Sequence, residues 1–120
     1  MRRTTHAEVP AFTTKDGSII RELMHPDAHA ARQQSLAEAT VPPGRATTLH
    51  RHARSEELYH LLRGEGEMTL GDEAFRVRAG DTVCISPGVA HRIRNVGPEP
   101  LVLLCCCAPA YSDEDTELLE

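Results

Sequence analysis

Glycine and proline interrupt this chain at close intervals: Pro42-Pro43-Gly44, Gly64, Gly66, Gly71, Gly80, Pro87-Gly88, Gly97-Pro98 and Pro100. Between the interruptions stand short runs rich in Leu, Val, Ile and Thr, which read as strands over 34–41, 46–52, 57–63, 67–70, 74–78, 82–85, 91–96 and 101–107. A further short strand is expected at 18–24, after the turn signal Asp16-Gly17. Residues 28–33 read as loop or a single helical turn. Eight or nine strands this short and this closely spaced specify an all-β, antiparallel sandwich or barrel.

The chain has 120 residues, enough for one hydrophobic core and too few for two. Residues 1–17 are expected to form a mostly irregular arm, 18–111 the barrel, and 112–120 an acidic tail. Five acids (Asp113, Glu114, Asp115, Glu117 and Glu120) sit in that tail, and without them the net charge of −5 vanishes. Ser112 and Asp115 form a start resembling a capping box, so the tail can make one helical turn. Balanced charge along the rest gives no basic stripe for nucleic acid, and there is no DNA-binding helix pair. No apolar run approaches the roughly 20 residues of a membrane helix. The start of the chain does not read as a signal peptide, so the expected compartment is the cytoplasm. Three of the four cysteines are consecutive (Cys105, Cys106 and Cys107). Neighbours in one strand point to opposite faces, so these are read as reduced thiols and not as a disulfide framework.

Chemistry concentrates in four residues. His50 and His52 stand two apart in a strand, which puts both imidazoles on one face about 6.5–7 Å apart along the backbone. Two such rings can converge on one ion at ~2.0–2.2 Å. Glu57 follows a short polar loop at the start of the next strand, and His91 begins a later one. Three neutral imidazoles and a carboxylate leave one or two coordination positions open, as in reactive or ligand-binding sites. Such a set suits one divalent transition metal: Fe, Mn, Zn, Ni, Co or Cu.

These residues and their spacing resemble the cupin superfamily. The first cupin motif is matched from Gly44 through His50, His52 and Glu57 to Gly64. The second is matched from Gly80 through Pro87, Gly88 and His91 to Asn95. One departure is Ser86, where the motif usually has its first proline; Pro87 beside it keeps the turn stiff. Core motifs at 44–64 and 80–95, fifteen residues apart, resemble small bacterial single-domain cupins of the cupin 2 type. The resemblance implies a jelly-roll β-barrel with the metal inside one end. It also implies a homodimer, with residues 18–41 supplying the contact.

The remaining candidates are weighed by strand alternation. Tyr59 and Leu61 share the face of Glu57 and should point inward, with His60 and Glu56 outward. Asn95 should fix a turn, and Arg92 and Arg94 should be solvated. If Leu101 and Leu103 point inward, Cys105 and Cys107 reach the cavity, so Tyr59, Cys105 and Cys107 are the candidate catalytic or substrate-orienting groups. His6, His25 and His29 are expected to be exposed. Three functions fit: O2-dependent, dioxygenase-like oxidation of a small organic substrate, isomerisation of a sugar or sugar phosphate, or non-catalytic binding of a small molecule. No lysine, and no arginine required to face inward, is available to grip a phosphate, which weakens the isomerase reading.

Overall fold

The computed structural model describes all 120 residues, in eleven strands divided between two antiparallel sheets. One sheet runs in the order β1 (Ala11–Thr13), β2 (Ile19–Met24), β3 (Ser35–Val41), β10 (Leu101–Ala108), β5 (Glu56–Arg63), β8 (Thr82–Ile85). The other runs β11 (Thr116–Leu118), β4 (His50–His52), β9 (His91–Asn95), β6 (Glu65–Leu70), β7 (Glu73–Arg78). Every strand pair is antiparallel, and the two sheets close face to face as a jelly-roll barrel. No helix is long and apolar enough to cross a membrane.

The period-2 alternation of the strands sorts core from surface. Along β5, Glu57, Tyr59 and Leu61 are buried, while Glu56 and Leu58 are exposed and His60 is half-buried. Opposite them on β10, Cys107, Cys105 and Leu103 pair in register with Glu57, Tyr59 and Leu61. The inward faces of both strands therefore run from polar groups at one end of the barrel to hydrocarbon at the other. Leu61, Met68, Ile85, Ile93, Leu101 and Leu103 fill the apolar end. A register shift between Val102 and Leu103 accommodates an extra residue of β5, and Leu62 there is exposed.

Several expectations change. The arm over 1–17 is more ordered than its polar composition suggests: His6–Glu8 forms a 3-10 turn, and β1 pairs with β2. The strand expected over 46–52 shrinks to His50–His52, preceded by a single bridge between Ala46 and Arg94. The helical turn expected in the tail is replaced by β11, which pairs with β4. Ser112 still caps locally, its Oγ accepting from Asp115 N at 3.2 Å, but Thr116 then extends along an otherwise unpaired strand edge. His25 is buried, not exposed, with Nε2 2.7 Å from the Tyr111 carbonyl.

Gly64 shows how tightly the apolar end is joined. Its φ is +87°, and a Cβ there would stand 2.9 Å from Pro100 O and 3.1 Å from Leu101 Cα. Both neighbours are backbone and cannot swing aside. Positive φ and overpacking together should make Gly64→Ala cost about 2–4 kcal/mol. A melting temperature roughly 10 °C lower is expected by calorimetry. A change of only a degree or two would mean that the β5–β6 junction relaxes freely.

Candidate metal centre

Four side chains from three strands meet inside the polar end of the barrel. His50 and His52 come from the same face of β4, Glu57 from β5 and His91 from β9, where His91 pairs directly with His50. One ligand atom from each lies within 4.8 Å of all the others, and all four residues are buried. Glu57 Oε1 is 3.1 Å from His52 Nε2 and 3.3 Å from His91 Nε2. Donor atoms bound to one ion at ~2.1 Å would be separated by roughly 3.0–3.4 Å at adjacent positions, so the spacing fits.

The outer nitrogens fix which ring atoms face inward. His50 Nδ1 lies 2.6 Å from the Thr48 carbonyl, and His91 Nδ1 lies 3.0 Å from the Val89 carbonyl. A carbonyl can only accept, so each Nδ1 carries the proton. His52 Nδ1 is 3.0 Å from Thr116 Oγ1, which itself donates to Ser112 O at 2.8 Å. The threonine oxygen therefore accepts from His52. All three Nε2 atoms are left for the interior, which is the ligand arrangement that outer hydrogen bonds impose in metal sites.

His91 Nε2 is cut off from solvent and makes no aligned hydrogen bond. A buried ring nitrogen without a partner carries a penalty of ~1–3 kcal/mol, and a cation between it and Glu57 would remove that penalty. The residues present therefore fit a metal ion.

Electrostatics tell the same story. Burial pushes the Glu57 carboxyl up, but the His52 and His91 imidazoles beside it outweigh that and hold the group at about 2. Burial pushes His50 down, against its hydrogen bond to Thr48. A neutral imidazole beside an ionised carboxylate is the protonation state that metal binding requires.

The cavity beside this cluster has a volume of about 50 Å³ and continues the core through Ala39, Val41, Tyr59, Ile93 and Leu103. Cys105 and Cys107 line it, as the alternation of β10 requires. The Cys107 thiol donates to Glu57 Oε2 at 3.3 Å, leaving Oε1 to the imidazoles. Burial first, and then the Glu57 charge, push both thiols and the Tyr59 hydroxyl upward. These groups stay protonated, and of the three Cys107 is the one that donates a hydrogen bond within the site. Asn95 bridges Val41 O and Glu99 O while accepting from Gly97 N, so it fixes a turn.

Sequence reasoning missed three contributors. Asp16 lies in the supposed arm, yet its Oδ2 reaches within 3.6 Å of His50 Nε2. Its Oδ1 is held by Ser18 N and Oγ at 2.9 and 2.6 Å, and its carbonyl accepts from Thr48 N at 2.8 Å. Glu22 lines the cavity from β2, and Thr116 orients His52 from the tail. Asp16-Gly17 carried only a turn signal. The alternation of β2 could have shown that Glu22 shares a face with Ile20, which also lines the cavity.

Comparison with known proteins follows the same lines. Residues 37–107 match the cupin domain family. An uncharacterized protein of Methanocaldococcus jannaschii, MJ1618, is 52% identical over 118 residues, spanning 98% of this chain and 94% of that protein. An oxalate-binding protein of Thermotoga maritima is 30% identical over 82 residues, 68% of each chain. Among solved structures, a predicted oxalate decarboxylase of Thermotoga maritima superposes with a TM-score of 0.78 at 23% identity, over 88% of this chain and 96% of that one. The nucleoside dehydratase Pac13, from Streptomyces, superposes with a TM-score of 0.82 at 18% identity, over all of this chain and 92% of its own. At those identities the structures speak for the fold alone. With two correctly spaced motifs, a jelly-roll barrel and the family match over 37–107, this chain belongs to the cupin family.

Proposed function

We propose that the chain binds one divalent transition metal through His50, His52, Glu57 and His91, and uses it to oxidise a small organic substrate with dioxygen. The observation that carries the reading is the inward Nε2 of His91, solvent-excluded and without an aligned partner, facing a carboxylate held ionised. A redox-active ion such as iron or manganese would supply electron exchange with dioxygen, whereas zinc would supply only Lewis acidity. The chain's own groups bind and shield. Ala39, Val41, Ile93 and Leu103 keep the cavity wall apolar, and Tyr59, fixed in its protonated form, offers a hydrogen bond to a substrate oxygen. No lysine or arginine lines the cavity, so a sugar phosphate is the poorer substrate class.

The test is oxygen consumption by protein loaded anaerobically with Fe(II), screened against small organic compounds. Substrate-dependent uptake by the iron form and none by the zinc form is the expected result. Tight binding of a compound without oxygen uptake would make the protein a binding module instead.

The outer face of the six-stranded sheet exposes Leu58 and Leu62. The cupin family's habit of pairing N-terminal strands supports a homodimer through residues 18–41, which form β2 and β3 of the same sheet. Light scattering should then give twice the 13.2 kDa chain mass. Four free thiols suit a reducing compartment, which favours the cytoplasm.

A further inference from the structure

The names of several relatives suggest oxalate, but the charges lining this cavity argue for something else. Three carboxylates (Asp16, Glu22 and Glu57) line it, and no lysine or arginine does. A divalent ion with Glu57 alone would leave one positive charge to attract an anion. Asp16, with Oδ2 3.6 Å from His50 Nε2, cancels that charge. Glu22 stands farther along the same wall. Its Oε1 is shielded from solvent and has no hydrogen-bond partner, so it is a polar atom waiting for a donor. Arg2 and Arg3 do not compensate. They line an outer groove that meets the inner cavity only at Phe12 and Glu22.

We propose that the cavity selects an uncharged molecule carrying a hydroxyl or amide group over carboxylate and phosphate anions, with Asp16 and Glu22 as the residues that set this preference. Glu22 Oε1 is the contact for the ligand's polar hydrogen, and Asp16 removes the positive potential that an anion would seek. This inference rests on the metal reading for its charge balance, although Asp16 and Glu22 repel anions with or without an ion.

The test compares two probes of one size, glycolamide and glycolate, by NMR titration of zinc-loaded protein whose metal content is measured separately. Asp16→Asn and Glu22→Gln should each shift the affinity ratio toward glycolate by about 10-fold or more, as expected for removing a charge from a partly shielded cavity. Glu22→Gln keeps the shape of the side chain, so loss of fold is not the expected outcome. A ratio unchanged within threefold in both variants, or no rise in glycolate binding in the double variant, overturns the proposal. If the wild-type chain takes up no zinc, the metal reading fails by itself. The same titration on metal-free protein then still reports whether the two carboxylates discriminate against the anion.

Discussion

Replacing His91 with alanine should lower metal affinity by at least about 10³-fold, roughly 4 kcal/mol, while the barrel stays folded. His91 is the most deeply buried of the four ligands, at 0% exposed, and its ring stands against both His50 and His52 with centroids 4.2 and 5.4 Å away. Its loss leaves two imidazoles from one strand and a carboxylate, with no donor from β9 to close the far side. The fold should tolerate the change because two costs oppose each other. Truncation opens a cavity, at a cost of ~2–5 kcal/mol for large buried side chains. It also removes a ring nitrogen that is unsatisfied in the metal-free protein, recovering ~1–3 kcal/mol. His50→Ala should lose metal to a similar degree, since it removes one of the paired ligands of β4. Elemental analysis and isothermal titration give the affinity, and far-UV circular dichroism reports the fold. Metal should raise the melting temperature of wild type and leave both variants unmoved, because stabilisation by a ligand follows its occupancy. Full metal retention in both variants would remove the ligand assignment.

The four-residue cluster was legible in the sequence because each member sits within a short, regular strand or at its start. Alternation put His50 and His52 on one face, and it sent Tyr59 and Leu61 inward with Glu57. Turn residues marked where the strands end, so most of the interior elements fell within a residue or two of their observed limits. What alternation cannot supply is the partner of an edge. β4 is three residues long and meets β9 only through His50 and His91. Nothing within 46–52 says that residues 116–118 cover its other side. The tail reads as an acidic segment with one possible helical turn because its charges and Ser112 dominate, yet Thr116 is buried and Asp115 folds back on the loop before β5. The same blindness hid Asp16. Its role comes from a long-range bond between its carbonyl and Thr48, and no local pattern encodes that contact. Local periodicity reveals the cluster, and tertiary closure decides what holds it in place.

That dependence on closure gives a second large effect, remote from the ligands themselves. Thr116→Val keeps the size and branching of the side chain but removes the oxygen that accepts from His52 Nδ1. The ring is then free to change tautomer or rotate, and metal affinity should fall about 10–100-fold, the usual cost of losing a partner of a ligating histidine. Asp115 acts beside it. Its two carboxylate oxygens accept from Arg54 N at 2.9 Å and Ser55 N at 3.0 Å, clamping the loop that joins His52 to Glu57. Burial raises the Asp115 carboxyl, but those backbone bonds and the Arg54 charge outweigh it and hold the group below its ordinary range. Asp115→Asn should therefore loosen the spacing between two ligands without touching either. Because both residues position the same pair, His52 and Glu57, their effects should not add independently. The double variant should lose more than 100-fold, with a coupling term that a mutant cycle can measure. Wild-type affinity in Thr116→Val would mean that β11 merely covers the barrel. A loss confined to the double variant would show that either contact alone suffices to hold the ligands in place.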